Sequence, residues 1–311
     1  MRRGGKRGPM MRRGANRVNR EANDARSTMK VLSIQSHVAY GHVGNASAVF
    51  PMQRLGVEVW PVHTVQFSNH TGYGAWRGRV FDGADVADVV EGVAERGVLG
   101  GCDAVLSGYM GSPEIGAAIL DAVASVRAAN PDALYCCDPV IGDTETGVYV
   151  RPGIAEFLRE RAVPAADIVT PNQFELDLLS GMPTGTLDDA KRAAAAVRAL
   201  GPRVVLVTSL ATDATPADAI DMIAAEEGAV WRVRTPRLRL AAVSGAGDAV
   251  AALFLVHYAR TGSAADALGS AAASVYGLLR RTAEAGSLEL LTVAAQDEFV
   301  QPSTRFPVEA V

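Results

Sequence analysis

The strongest constraint on the fold is a regular alternation of short β-rich runs with longer helical stretches. Residues 30–35, 57–65, 104–107, 134–137, 168–169 and 204–207 read as strands. Between them, 46–55, 86–95, 114–129, 154–161, 174–180 and 187–200 read as helices. Gly56, Asn130-Pro131, Gly181 and Gly201-Pro202 supply the expected helix stops. The run Val204, Val205, Leu206, Val207 is uninterrupted, as in a strand buried on both faces. Residues 219–223 and 229–234 read as an antiparallel pair, and 247–260, 264–281 and 288–300 close the chain helically. This order predicts an α/β fold with a mostly parallel central sheet and helices on both faces. No internal repeat or long linker interrupts it, so 29–305 is expected as one domain and 306–311 as a tail.

Composition narrows the function classes. The chain has 311 residues, 49% of them apolar and 21% charged, which excludes wholesale disorder, collagen and coiled coil. The nearly uncharged run 249–259 is about half the length of a membrane span, so no membrane role is expected. The first 28 residues hold nine basic and two acidic side chains, a charge of +7. Against a total of −4, that leaves the body at −11 and argues against nucleic acid as the main partner. The basic arm has no apolar period and is expected to be disordered. Cys102, Cys136 and Cys137 show no metal spacing and read as buried thiols in a reducing cytoplasm. Four of five histidines fall between His37 and His70, in no familiar zinc pattern.

Ligands bind such sheets at the carboxyl ends of the strands. Polar clusters follow strand after strand here: Ser36-His37, Ser68-Asn69-His70-Thr71, Ser107-Gly108-Tyr109, Asp138, Thr170-Pro171-Asn172 and Thr208-Ser209. Any one of them could be a turn or a helix cap. Six in the same position relative to a strand point to a site.

The phosphate-handling signal is Ser244-Gly245-Ala246-Gly247-Asp248. A glycine turn leads straight into an apolar helix, so backbone N–H groups and the helix N-terminus converge on one spot. That is an anion hole suited to a transferring phosphoryl group. Asp248, in the first turn, could take a proton from an attacking hydroxyl; capping the helix is the plainer role open to it. A third glycine of the dinucleotide fingerprint is missing and no P-loop motif occurs. Asp138, Asp143 and Glu175 lie at strand ends or helix starts. Magnesium prefers one or two carboxylates plus phosphate oxygens and water, which these acids could supply without a dedicated cage.

These residues carry a resemblance. Gln35-Ser36-His37-Val38 with Gly41-His42-Val43-Gly44-Asn45, the block from Val65 to Tyr73, Ser107-Gly108-Tyr109, the block from Cys137 to Asp143, the block from Thr170 to Glu175, and the Gly245 turn occur in one order. That order resembles the ribokinase superfamily and, within it, the pyridoxal kinase family, from about residue 30 to residue 300.

The resemblance implies a ribokinase-like αβα sandwich that phosphorylates the 5′-hydroxymethyl group of pyridoxal with ATP. It implies Asp248 as catalytic base and Gly245, Ala246 and Gly247 as anion hole. Ser36, Thr71 and Tyr109 match substrate contacts, and His70 is expected in the same pocket. Asp138, Asp143 and Glu175 match positions near magnesium and the nucleotide phosphates. Thr170, Asn172 and Thr208 match nucleotide or monovalent-cation contacts, which brings in potassium, and Tyr149 matches a residue packed near the nucleotide. The family implies a homodimer. The chain departs from many bacterial relatives at Thr208, where they carry Lys, and in residues 235–243, which are shorter. Phosphate neutralisation is therefore expected to lean on metal ions. Two alternatives stand beside this reading: a hydroxymethylpyrimidine kinase, and a vitamin B6 binder without catalysis.

Overall fold

The computed structural model describes residues 28–240 and 243–311. The basic arm, except Thr28, lies outside the described residues.

A ten-stranded sheet forms the centre, with strand order β12-β11-β10-β9-β8-β5-β4-β1-β2-β3. Its parallel part is β2 (Glu58–Phe67), β1 (Lys30–Val38), β4 (Ala104–Ser107), β5 (Leu134–Cys137), β8 (Ile168–Val169) and β9 (Val204–Leu210). One edge continues antiparallel through β10 (Ala219–Glu226), β11 (Ala229–Pro236) and β12 (Val308–Ala310), and the other through β3 (Gly78–Val80). A small hairpin, β6 (Gly142–Asp143) and β7 (Gly147–Val148), stands apart.

Both faces are buried, and the strands show why they are apolar at successive positions. Leu32, Ile34, Val105, Val205 and Val207 face one core, with residues of α2 (Gly83–Ala94), α3 (Pro113–Ala129), α4 (Ile154–Phe157), α5 (Gln173–Ser180) and α6 (Leu187–Arg198). Val31, Ala104, Leu106, Val204 and Leu206 face the other, with α1 (Asn45–Arg54), α7 (Ala246–Thr261), α8 (Ala264–Glu284) and α9 (Asp297–Val300). A period of two with both sides covered leaves no polar face.

Two expectations are corrected. The stretch 288–300 is helical only in α9, because side chains take over its backbone groups: Ser287 Oγ accepts from the Glu289 amide, and Thr282 Oγ1 from the Leu291 amide. Residues 306–311 are not a tail. They enter the sheet as β12, where Glu309 meets Arg232 at 2.7 Å, while the Phe306 ring packs edge-on to Tyr276 at 4.8 Å.

Strand order reverses between β1 and β4, since the chain moves from β1 to β2 on one side and then returns to β4 on the other. This switch point opens the crevice in which ligands bind such sheets. Ser36 stands at one lip, at an irregularity in β1, and Tyr109 follows β4 at the other.

Candidate active site

The glycine turn meets the loops that carry His42 and His70 at this crevice. Gly245 caps α7 with φ +94°, a left-handed conformation, and a Cβ there would lie 1.7 Å from the His42 carbonyl oxygen. Only glycine allows that approach. Ser47 Oγ donates to the Gly245 carbonyl at 2.7 Å, fastening the turn to α1. On its other side, Ser244 Oγ lies 3.2 Å from His70 Nδ1. Sequence alone gave Ser244 no role; here it joins the glycine turn to the loop that carries His70 and Thr71.

Gly245, the N-cap of α7, offers no side chain to the first-turn amides, and amides at such a helix start can bind a ligand instead. Gly247 is exposed, and a Cβ there would meet nothing within 4 Å. Packing does not require a glycine here. Gly247→Ala should therefore fold with unchanged or slightly higher stability, by up to about 1 kcal/mol from helix propensity. Phosphoryl transfer should fall by about 10²-fold because the methyl group intrudes on the hole. Thermal melts and turnover measured on the same preparation check both halves.

Asp248 is half-buried in the first turn of α7, and burial pushes its carboxyl up to about 6 while the Gly44 amide holds it down. Gly44, with φ +56°, is pressed against Ser36: a Cβ would stand 2.2 Å from the Ser36 carbonyl oxygen and 2.3 Å from Oγ. Ser36, Gly44 and Asp248 thus form one contact chain from the crevice lip to the candidate base.

The loop 68–77 is cross-tied. Asn69 Nδ2 donates to the carbonyls of His70 and Ala75, and the Arg77 amide donates to Ser68 Oγ. His70 Nδ1 accepts from the Gly72 amide at 3.1 Å. Since that amide can only donate, the neutral ring carries its proton on Nε2. Burial lowers the His70 pKa, with Glu289 opposing, so the neutral ring is favoured. Thr71 is exposed at the start of the short 3₁₀ turn Thr71–Tyr73. Tyr109 is half-buried, its hydroxyl raised by burial, and its carbonyl accepts from Thr64 Oγ1 at 2.6 Å.

The acids gather on the β5 and β8 side. Asp138 is buried at the end of β5 and accepts from Thr170 Oγ1 at 2.8 Å. Burial pushes its carboxyl well above the usual range, and Glu175 and Asp248 push it further. Glu175 is raised to about 7 by burial, although its oxygens accept from the amides of Ile141, Gly142 and Asn172. Asp143 accepts from the amides of Glu145 and Thr146 and so shapes the β6–β7 turn. Tyr149 is 52% exposed, yet its hydroxyl end is desolvated, and its pKa is raised by that burial and then by Glu175, Asp138, Asp248 and Asp143.

Four carboxylates, Asp138, Asp143, Glu175 and Asp248, thus act on one place, at the Tyr149 hydroxyl. Such a field fits a divalent cation with phosphate oxygens. Among the described residues no three His, Cys, Asp or Glu side chains form a ready cage. Glu175 spends both oxygens on backbone amides, whereas Asp138 and Asp143 each use only Oδ1 in the bonds above and keep Oδ2 for a ligand.

Asn172 is the N-cap of α5, in a reciprocal capping box with Glu175, and its Nδ2 donates to the Gly142 carbonyl at 2.8 Å. Thr208, near the end of β9, bridges to Asn172, and its amide donates to the Pro171 carbonyl. Ser209 beside it is the one non-glycine residue with positive φ among the described residues, at 52°. Strain of that kind collects at functional sites. In the stretch 235–243, Thr235 and Pro236 end β11, 237–240 are irregular, and Ala241 and Ala242 lie outside the described residues. Of the histidines, His37 and His63 stack with ring centroids 4.3 Å apart, and the three cysteines are free and buried. No helix of the described residues is long and apolar enough to cross a membrane.

Known proteins share this fold. A family model described as phosphomethylpyrimidine kinase matches residues 88–292. Pyridoxal kinase PdxY of Granulibacter bethesdensis is 63% identical over 285 residues, covering 89% of this chain and 98% of that protein. The protein of the same name from Rubrobacter xylanophilus is 57% identical over 284 residues, covering 91% and 98%. Among solved structures, pyridoxal kinase from Leishmania donovani in complex with ADP and pyridoxamine superposes with a TM-score of 0.84 at 30% identity, covering 91% of this chain and 99% of that one. At these identities and coverages, the chain belongs to the pyridoxal kinase family.

Proposed function

We propose that this chain transfers the γ-phosphoryl group of ATP to the 5′-hydroxymethyl oxygen of pyridoxal, with Asp248 as base and the Gly245 turn as anion hole. The observation that carries the reading is the contact of that turn with both substrate-side loops, at His42 and at His70. A phosphoryl acceptor seated in the crevice therefore lies beside the free amides of α7. The Leishmania neighbours, described with ADP and either pyridoxamine or pyridoxine, support ATP as co-substrate and a B6 vitamer as acceptor.

In this reading Ser36, His70, Thr71 and Tyr109 orient the pyridine ring. His70 offers Nε2–H as a donor, because Nδ1 is already used by Gly72 and Ser244. The hydroxyl attacks the γ-phosphorus in line and Asp248 accepts its proton. The amides of Gly245, Ala246 and Gly247 stabilise charge on the transferring group. The transition state is loose, so positioning and charge stabilisation outweigh the base. Asp138, with Asp143 and Glu175 around it, would hold Mg²⁺, which supplies neutralisation of phosphate charge when bound. Thr170, Asn172, Thr208 and Tyr149 are assigned to the nucleotide side, with potassium as an added cation there. The homodimer implied by the resemblance and a cytoplasmic location belong to the same reading.

Asp248 works ionised. With its carboxyl at about 6, kcat/KM should lose activity as pH falls through that value, tending to tenfold per unit. Asp138 and Glu175 titrate in the same cluster, so the limb reports the group as a whole. A rate profile from pH 5 to 8 that is flat on the acid side would contradict the assignment.

ATP consumption with magnesium and potassium, measured against pyridoxal, pyridoxine, pyridoxamine and hydroxymethylpyrimidine, tests the function. Pyridoxal should exceed the pyrimidine alcohol by about 10²-fold or more in kcat/KM, between the roughly 10–200-fold set by apolar fit alone and the roughly 10⁴–10⁵-fold of a site whose polar groups lose their partners. The reverse order would make the chain a pyrimidine kinase. Tight pyridoxal binding without ATP consumption would make it a binder.

A further inference from the structure

Glu289 belongs to no strand or helix and to none of the sequence motifs. It follows α8, where its amide donates to Ser287 Oγ at 3.1 Å and Ser287 Oγ donates to its carbonyl at 2.6 Å. This local bracket aims the carboxylate at two loops of the crevice. Oε2 accepts from the His42 amide at 3.2 Å, and Oε1 accepts from the Tyr73 hydroxyl at 2.7 Å. Gly41 has φ +91°, and a Cβ there would fall 2.4 Å from the carboxylate. The closeness of Gly41 is what lets a single carboxylate reach both loops. Tyr40 packs edge-on to Tyr73 at 6.3 Å, closing the outer side.

Each bonded loop leads into the site. His42 supplies the carbonyl against which Gly245 rests, and two residues later the Gly44 amide faces Asp248. Tyr73 ends the 3₁₀ turn that carries Thr71, with His70 as its cap. We infer that Glu289 is a positioning residue for the kinase reaction: its carboxylate clasps the 41–44 loop to the 70–73 turn and so fixes the geometry of the pyridoxal pocket. The clasp rests on the reading above, because the pocket it shapes is the one assigned to pyridoxal. ATP lies on the other side of the glycine turn, so the two substrates should respond differently.

The test compares Glu289→Ala, Glu289→Gln and Tyr73→Phe with the full-length wild type. Loss of two hydrogen bonds to a charged acceptor should raise the KM for pyridoxal about tenfold in Glu289→Ala. The KM for ATP should stay unchanged, with kcat within about threefold. Glu289→Gln keeps one acceptor oxygen and should recover part of the loss. Tyr73 is 47% exposed, so removing its hydroxyl leaves the fold intact; a rise of about threefold is expected from one lost bond. Hydrogen exchange reads the clasp without reference to activity: the His42 amide should exchange about tenfold faster in Glu289→Ala. This measurement decides the clasp even if pyridoxal proves not to be the substrate. Unchanged pyridoxal KM with unchanged His42 protection would overturn it. So would an equal rise in both KM values with a fall in kcat, the mark of a merely structural residue.

Discussion

Asp248→Asn should lose about 10²–10⁴ in turnover on pyridoxal while gaining thermal stability. The two effects have one cause. Burial raises the Asp248 carboxyl from 3.8 to about 6, so ionising it inside the fold costs free energy. An acid whose folded pKa lies above its unfolded value destabilises the fold increasingly as pH rises through that window. The cost is absent below about pH 4 and complete above about pH 6–7. Asparagine never ionises, yet its Oδ1 can still accept from the Gly44 amide. The variant should therefore melt like wild type at pH 4 and be more stable at pH 8. Allowing for solvent screening of a group that is not fully buried, the gain is on the order of 1–2 kcal/mol. Ligand-free melts at the two pH values and steady-state rates with saturating substrates check both parts. Turnover within threefold of wild type would remove Asp248 from the reaction.

Gly245→Ala should lose both activity and stability. At φ +94° any L-residue costs roughly 1–2 kcal/mol before contacts are counted. The added Cβ would then stand 1.7 Å from the His42 carbonyl oxygen, which is backbone and cannot swing aside. The turn must move, and with it the amides of Ala246 and Gly247. A displacement near 1 Å can cost about 10²-fold in rate. The comparison with Gly247→Ala separates the two glycines: the first is required by the fold, the second by the ligand. Near-normal turnover in Gly245→Ala, with circular dichroism and melting unchanged, would mean that the turn is not where transfer occurs.

The sequence made the parallel half of the sheet legible because β4, β5, β8 and β9 are buried on both faces and so read as apolar runs. The Gly245 turn was legible because its left-handed backbone, at φ +94°, needs glycine, and glycine punctuates sequence. The position of the strand-end clusters followed from the sheet topology. What stayed hidden depends on tertiary contact. Glu289 meets His42 across 247 residues, and Ser47 meets Gly245 across 198, with no local pattern to announce either. β12 is three residues long and gains its partner only when the sheet edge exists. Asn172 and Glu175 show a different limit. A capping Asn and a ligand-binding Asn are the same residue type in the same place, before a helix. The structure has them bonded to each other and to backbone around Gly142, so they act first on the loop that carries Asp143.

The central claim is that the amides at the start of α7 hold the phosphoryl group as it moves. Aluminium fluoride with MgADP and pyridoxal imitates that moving group, and such mimics bind 10²–10⁸-fold tighter than substrates. The dissociation rate of this complex, measured for wild type and Gly247→Ala, tests the claim most directly. The expected result is slow release from wild type and release about 10²-fold faster from the variant, with pyridoxal and MgATP affinities little changed. Equal release rates from the two proteins would contradict the account.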